Sequence, residues 1–111
     1  MSNLHKETCI PCTSETKRLT KHEINTLKKE IDSNWKIINN HHLTKTITFK
    51  NFKNALKYTN QVGEIAEHSN HHPNISLTWG QVEIIIYTHK IEGLSRSDFI
   101  LAAKIDQLNS A

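Results

Sequence analysis

The sequence has little glycine, proline or cysteine, and it contains no long apolar run. Its 111 residues include three glycines and two prolines, so few long loops are expected. No apolar stretch approaches the roughly 20 residues that cross a bilayer, and residues 1–6 lack the basic-then-apolar layout of a secretory signal. With 36% hydrophobic and 23% charged residues, the composition predicts one soluble, cytoplasmic domain without membrane contact.

The charge balance is also modest. Fourteen basic residues stand against eleven acidic ones, which gives a formal net charge of +3 with histidine neutral. The basic residues are scattered, and doublets occur at Lys17-Arg18 and Lys28-Lys29. A nucleic-acid-binding domain needs a denser basic stripe, so we expect no nucleic-acid partner.

Two cysteines, Cys9 and Cys12, lie in the polar first 19 residues. Their spacing is that of zinc ligands, and His5 offers a third donor. A second Cys/His pair at fixed spacing is missing, which weakens this alternative, and two cysteines in such a chain are more often thiols than a disulfide. We predict an irregular N-terminal extension over residues 1–19 and a single domain over residues 20–111.

Three helices and four strands are predicted in that domain. Thr20 and Glu23 have the spacing of a capping box, as do Ser95 and Asp98, and each pair marks a helix start. Gly63 lies inside the central helix, where glycine weakens helix formation and so suggests a close contact. The helices are expected over residues 20–32, 51–67 and 95–108, and the strands over residues 35–38, 44–49, 75–79 and 82–90.

The order α-β-β-α-β-β-α predicts an α+β fold, in which a four-stranded antiparallel sheet carries helices packed on one face. In the strand over residues 82–90, both the Ile84/Ile86 face and the Ile85/Tyr87 face are apolar. A strand that is apolar on both faces in so small a chain indicates that a second subunit covers the free face of the sheet.

The last two strands predict where the histidines meet. Gly80-Gln81 fits a two-residue type II′ turn, which sets Trp79 opposite Val82 and Leu77 opposite Ile84. Extending that register brings His72 opposite His89, although Pro73 interrupts regular pairing before His72 is reached. Three of the eight histidines, His71, His72 and His89, are therefore expected at the open end of this hairpin.

Three interpretations suit such a cluster. Imidazoles with a nearby carboxylate could ligate zinc or iron, or one imidazole could act as a general acid or base while the others orient a substrate. The third interpretation is a polar loop with hydrogen-bonded histidines. The clustering counts against it, because neighbouring imidazoles disfavour each other's protonation. Asp98 could cap its helix, orient a histidine, or do both. Trp35 and Trp79 could stack on a planar ligand, although core packing is commoner for tryptophan.

The spacing of these residues is similar to that of a known family. The pattern resembles the pterin-4a-carbinolamine dehydratase signature over about residues 20–108, and the Cys9–Cys12 segment resembles an extension in bacterial members. The residues that carry the resemblance are Glu67-x3-His71-His72-Pro73, Trp79, His89 and Asp98, flanked by Phe49-Lys50-Asn51-Phe52, Thr88 and Gly93-Leu94-Ser95.

The resemblance implies an enzyme that removes water from 4a-hydroxytetrahydropterin to give quinonoid dihydropterin in tetrahydrobiopterin recycling. It implies no metal and no organic cofactor, a homodimer or homotetramer, and functional coupling to an aromatic amino acid hydroxylase. It also implies that His71 and His89 are the acid–base pair and that His72 binds the pterin. Glu67 and Asp98 would support or orient the site, and Trp35 would line it.

Two alternatives stay open. A histidine-ligated metalloenzyme would use the same cluster, and a protein-interaction role is implied by animal members of the family that also serve as dimerisation cofactors of a transcription factor. The remaining histidines have no predicted role and are expected at the surface. They are His5, His22, His41, His42 and His68.

Overall fold

The structure, a computed structural model, describes residues 3–10, 13 and 15–108. The predicted α+β fold and its order of helices and strands are confirmed. A short 3₁₀ helix, Leu4–Lys6, precedes the domain, and a second, His89–Ile91, follows the last strand. The other elements are α1 (Lys21–Lys28), β1 (Lys36–Ile38), β2 (His42–Thr48), α2 (Phe52–Ser69), β3 (Asn74–Thr78), β4 (Gln81–Ile86) and α3 (Arg96–Ile105). The four strands form one antiparallel sheet in the order β1-β2-β4-β3.

The helices begin where their capping residues predict. The Thr20 side chain accepts a hydrogen bond from the Glu23 amide, and the Glu23 carboxylate accepts one from the Thr20 amide. Asn51 caps α2 by accepting from the amide of Asn54 at 2.7 Å. Helix α2 ends at Ser69 and is capped by Asn70, whose φ of 52° lies in the left-handed region that asparagine tolerates.

One face of the sheet packs into the core. Val82, Ile84 and Ile86 of β4 are fully buried there, in the same cluster as Val62 of α2 and Phe99 of α3. The alternate residues Glu83 and Ile85 point to the other face and are half-buried. This arrangement matches the predicted sheet with helices on one face. A second subunit over the free face stays a prediction.

The hairpin between β3 and β4 differs from the prediction. Leu77 pairs with Val82 rather than with Ile84, and the two-residue loop is Trp79-Gly80 instead of Gly80-Gln81. Gly80 does not have a positive φ, so the predicted type II′ turn is wrong. The glycine is needed for a close approach, because a Cβ at position 80 would lie 2.8 Å from the Phe49 carbonyl oxygen.

Gly63, inside α2, makes no close approach of the kind seen at Gly80. A Cβ at Gly63 would meet nothing within 4 Å, so the close contact predicted there is wrong.

The turn between β1 and β2 is of type I′. Asn39 and Asn40 have φ values of 53° and 55°, and the His41 amide donates to the Ile38 carbonyl at 2.8 Å. The second strand was predicted to begin at residue 44, but His42 already belongs to β2 and pairs with Ile38.

The N-terminal segment is packed on the domain. The first 3₁₀ helix lies against α3, Leu4 is only 1% exposed, and Cys9 is also buried. The Ile10 amide donates to the Ser97 hydroxyl at 3.1 Å, and Lys104 Nζ donates to the His5 carbonyl at 2.9 Å. Residues 4–6 are therefore helical rather than irregular, and the segment contributes to the core.

A buried lysine lies on the core side of β2. The Lys45 ammonium donates to Asp32 Oδ2 at 3.2 Å and to Asp106 Oδ1 at 3.1 Å, and it lies 5.5 Å from the centre of the Trp35 ring. The Trp35 indole N–H also donates to Asp106 Oδ1, at 2.8 Å. Desolvation opposes the ionised form of Asp32, but the hydrogen bond and charge of Lys45, together with backbone hydrogen bonds from Asn34 and Ser33, leave the Asp32 pKa below its ordinary value.

Within the described part of the chain, no helix combines the length and apolar character that crossing a membrane requires.

Candidate active site

A histidine and a buried carboxylate meet where α2 ends and α3 begins. The left-handed Asn70 turns the chain, and the His71 amide then donates to the Ala66 carbonyl at 3.2 Å. This turn brings Nε2 of His71 to 2.6 Å from Oδ1 of Asp98. The Asp98 side chain is 0% exposed, whereas that of His71 keeps 15% of its surface open. His71 therefore joins the interior to an accessible surface.

The other oxygen of Asp98 is held by its own neighbourhood. Oδ2 accepts hydrogen bonds from the Thr88 hydroxyl at 2.8 Å and from the Ser95 amide at 2.7 Å. Asp98 thus caps α3 and orients His71 at once, so both predicted roles are present. An ionised Asp98 accepts the Nε2 proton of His71, which leaves Nδ1 as the ring nitrogen available to another partner.

The second histidine pair is near the surface. Nε2 of His72 lies 2.6 Å from Oε1 of Glu67, and the two side chains are 54% and 80% exposed. An exposed pair of this kind contributes little to folding stability. Its place beside His71 makes it suited to contact a ligand.

His89 reaches the same place by a different route from the predicted one. Strand β4 ends at Ile86, and a bridge between Thr88 and Gly93 closes a small loop that carries the second 3₁₀ helix. His89 is the first residue of that helix, so the prediction that it lies on a strand opposite His72 is wrong. Its ring packs against Tyr87 with centroids 4.1 Å apart.

The three histidines nevertheless share one open cavity of about 310 Å³. Thr88, Tyr87, Asn70 and Lys90 also line this cavity and were missed by sequence reasoning. Of these residues, Thr88 could most readily have been predicted. It directly precedes His89, and the partner of its hydroxyl group, Asp98, was already a candidate. The lining residues are Asn70, His71, His72, Tyr87, Thr88, His89 and Lys90.

Two predicted residues lie elsewhere. Trp35 is 1% exposed, is bonded to Asp106 and is absent from the lining of this cavity, because Lys45 and Asp106 hold it in the core. Trp79 is 69% exposed at the tip of the β3–β4 hairpin. Trp35 was expected to line the site, and the structure does not bring it to the histidines.

A wider cavity of about 700 Å³ lies between the N-terminal segment, α2 and α3. Its lining includes His5, Cys9, His68 and Lys104, and it shares no described lining residue with the histidine cavity. Among the residues the structure describes, no group of three or more histidine, cysteine, aspartate or glutamate side chains is arranged to hold a metal ion. Cys12 of the alternative zinc site lies outside the described residues.

Comparison with known proteins identifies the family of the chain. The family described as pterin 4 alpha carbinolamine dehydratase matches residues 17–108, which include every residue of the histidine cavity. The chain belongs to this family. The resemblance seen in the sequence is thereby confirmed, and with it the assignment as a dehydratase, an enzyme of the hydro-lyase class.

Relatives match over nearly the whole chain. A putative pterin-4-alpha-carbinolamine dehydratase of Alkaliphilus metalliredigens is 49% identical over 99% of both chains. A protein of the same description from Rubrobacter xylanophilus is 44% identical over 97% of this chain and 100% of its own. The crystal structure of a transcriptional coactivator/pterin dehydratase from Brucella melitensis has a TM-score of 0.73 at 28% identity, covering 80% of this chain and 95% of that one.

A pterin dehydratase-like protein described as a RuBisCO assembly factor of the alpha-carboxysome shares the fold alone. Its TM-score is 0.57 at 20% identity, over 66% of this chain and 86% of its own.

Proposed function

We propose that the histidine cavity removes water from 4a-hydroxytetrahydropterin and releases quinonoid dihydropterin, as a step of tetrahydrobiopterin recycling. The observation that carries this proposal is the contact of His71 with the buried Asp98, in one cavity with the exposed His89. Family membership supports the substrate class.

The reaction needs a proton donor and a proton acceptor. Hydroxide is a poor leaving group, so a general acid protonates the 4a-oxygen while the C4a–O bond breaks and its electron pair leaves with the oxygen as water. The N5 lone pair forms the new C=N bond, and a base then takes the N5 proton. An imidazole that titrates near neutral pH can perform either transfer, each typically worth 10²- to 10⁴-fold in rate.

In this proposal His71 and His89 are the catalytic acid–base pair. The Asp98 carboxylate accepts from Nε2 of His71, which fixes the ring and leaves Nδ1 to face the substrate. The buried charge of Asp98 also stabilises the imidazolium that forms when His71 takes a proton, because electrostatic attraction is stronger away from water.

His72 and Glu67 are proposed to bind the pterin. Their contact of 2.6 Å joins His72, which lines the cavity, to Glu67, which does not, and both side chains remain accessible. Exposed polar groups beside a cavity can exchange hydrogen bonds with water for hydrogen bonds with a ring edge. Trp35 has no part in this proposal.

The setting of the enzyme is also a proposal. The free face of the sheet carries the half-buried Ile85, which supports a homodimer or homotetramer in which a second copy covers it. The substrate is a hydroxylated pterin, so a pterin-dependent aromatic amino acid hydroxylase is the class of enzyme that would supply it. A cytoplasmic location is inferred from composition alone.

The test is the dehydration of synthetic 4a-hydroxytetrahydropterin, followed by absorbance. His71→Ala and His89→Ala are each expected to lower kcat by about 10²-fold or more, and the double variant to approach the uncatalysed rate. His22→Ala, at an exposed position of α1, is the matched control and keeps wild-type turnover. Unchanged turnover in both single variants would overturn the proposal.

A parallel measurement separates this mechanism from a metalloenzyme. The purified protein is analysed for zinc and iron and is assayed before and after dialysis against a chelator. Turnover that persists after dialysis is expected, whereas stoichiometric metal whose removal abolishes turnover would favour metal chemistry.

A further inference from the structure

Three aromatic rings from two parts of the chain stand in a row at the cavity. His41, in the β1–β2 turn, lies 4.6 Å from Tyr87 between ring centroids, with the planes inclined by 41°. Tyr87, just after β4, lies 4.1 Å from His89 with an inclination of 40°. The Tyr87 ring is half-buried between the two imidazoles. We call this group the ring stack.

The ring of His89 depends on this stack for its orientation. His71 is fixed by Asp98 and His72 is held by Glu67, each through a contact of 2.6 Å. In the described ranges, no protein side chain or backbone group makes a hydrogen bond with the His89 imidazole. Because His89 is exposed on a three-residue 3₁₀ helix, the face of Tyr87 is the contact that limits rotation of its ring.

The far end of the stack is tied back to the same loop. Nε2 of His41 lies 3.4 Å from Oε2 of Glu92, and Nδ1 of His41 lies 3.0 Å from Nδ1 of His42 in β2. Glu92 ends the 3₁₀ helix that His89 begins, and its φ of 47° lies in the left-handed region. The β1–β2 turn therefore holds the His89 loop at two points, through the stack and through Glu92.

We propose that Tyr87, backed by His41, is a positioning residue that holds the His89 imidazole in the orientation needed for proton transfer. This inference rests on the proposed function, because it assigns a role toward the catalytic His89. The flat aromatic face is the effective part of Tyr87: offset aromatic pairs prefer centroid separations of 4.5–7 Å, and the two contacts lie at or just below that range.

The kinetic signature follows from where Tyr87 acts. Loss of the stack frees the His89 ring but leaves His72, Glu67 and the Asp98–His71 contact in place, so substrate binding is largely kept. A misplaced catalytic group costs up to about 10²-fold in rate. We therefore expect kcat to fall about 10- to 100-fold in Tyr87→Leu and Tyr87→Ala, with KM changed less than about threefold.

Conservative and matched variants separate positioning from general damage. Tyr87→Phe keeps the aromatic face and is expected to retain kcat within about twofold. Trp79→Leu removes an exposed aromatic side chain from the tip of the neighbouring hairpin and is expected to leave kcat unchanged. Combining Tyr87→Leu with His89→Ala tests the pathway, because a residue that acts through His89 adds no further loss once His89 is absent.

Nuclear magnetic resonance of histidine-labelled protein tests the stack without any turnover. The His89 ring resonance, assigned by its disappearance in His89→Gln, is expected to show a ring-current shift that Tyr87→Phe retains and Tyr87→Leu loses. If that shift behaves as expected while His71→Ala and His89→Ala keep full turnover, the proposed function fails and the stack stands.

Three results would overturn the positioning role itself. The first is wild-type kcat in Tyr87→Leu and Tyr87→Ala, and the second is a Tyr87→Phe loss as large as that of Tyr87→Ala, which would transfer the role to the hydroxyl. The third is an additive loss in the double variant, which would mean that Tyr87 acts independently of His89.

Discussion

Asp98 Oδ1 lies 2.6 Å from Nε2 of His71, although 27 positions of sequence separate the two residues. The same carboxylate accepts the Ser95 amide at the start of α3. A helix cap and a candidate catalytic dyad therefore share one buried charge. The direction of α3 and the orientation of the His71 ring cannot be changed independently of each other.

Replacing Asp98 by asparagine should affect turnover more than stability. The amide keeps the size of the side chain but removes its charge, so the imidazolium of His71 loses its partner and kcat is expected to fall about 10²-fold or more. The free energy of unfolding is expected to fall by about 1–2 kcal/mol, because charge-assisted hydrogen bonds become neutral ones.

Glu23→Gln is the matched control for this variant, because Glu23 holds the same capping position in α1. It makes the same acid-to-amide change far from the histidines and is expected to keep wild-type kcat. The measurements are steady-state turnover and urea unfolding. Wild-type turnover in Asp98→Asn would contradict the assigned role of the dyad.

Lys45→Met should destabilise the domain substantially. The lysine is the cation shared by Asp32 and Asp106, and its removal leaves the mostly buried Asp106 carboxylate with the Trp35 indole N–H and the Asp32 backbone N–H but no counter-ion. Breaking a buried ion pair typically costs 3–5 kcal/mol, and water can take over at the partly exposed Asp32, so a loss of about 3 kcal/mol is expected. Urea unfolding measures it, with Lys36→Met on the exposed strand β1 as the control. Equal stability of the two variants would be incompatible with this account.

The same cluster predicts acid sensitivity. Burial opposes the ionised form of Asp32, but the interactions with Lys45 and the backbone hydrogen bonds from Asn34 and Ser33 hold the pKa below its ordinary value of 3.8. A depressed carboxyl pKa contributes stability that is complete above the unfolded-state pKa and is lost as pH falls through the folded-state pKa. Asp32→Asn should therefore lose less stability than the wild type between about pH 5 and the folded-state pKa of Asp32. Parallel urea titrations over this range would show identical slopes if the prediction were wrong.

Two glycine-to-alanine changes should have opposite signs. At Gly80 the new Cβ would lie 2.8 Å from the Phe49 carbonyl oxygen, which is backbone and cannot move freely, so a loss of about 1–3 kcal/mol is expected. At Gly63 the Cβ meets nothing within 4 Å, and alanine should stabilise α2 by about 0.5–1 kcal/mol. Thermal unfolding of the two variants tests this prediction. A shift of Tm in the same direction in both variants would refute the contact-based explanation.

The sequence predicts local structure better than long-range contacts. The helix starts at Thr20, Asn51 and Ser95 depend on residues three positions apart, and they lie where expected. The hairpin loop was predicted at the wrong position because the place of Gly80 depends on its backbone contact with Phe49, which follows another strand. Such a contact leaves no periodic signal in the sequence.

In the candidate site, too, local spacing could be predicted from the sequence and long-range contacts could not. His71, His72 and His89 were brought together by their spacing and by the family resemblance, and they do line one cavity. Trp35 was predicted to line the site, whereas the structure places it in the core with Lys45 and Asp106, which come from separate parts of the chain. His41 was placed at the surface because its contact with Tyr87 depends on how the β1–β2 turn folds toward the end of β4.

The packing of the first 3₁₀ helix on α3 has a consequence for how the protein is made. Lys104 donates to the His5 carbonyl across 99 positions, and Leu4 is buried in the same core as the residues of α3. Because synthesis runs from the N-terminus, Leu4 leaves the ribosome long before the helix that covers it. The apolar side chain of Leu4 is therefore exposed to solvent and to chaperones until α3 has been synthesised.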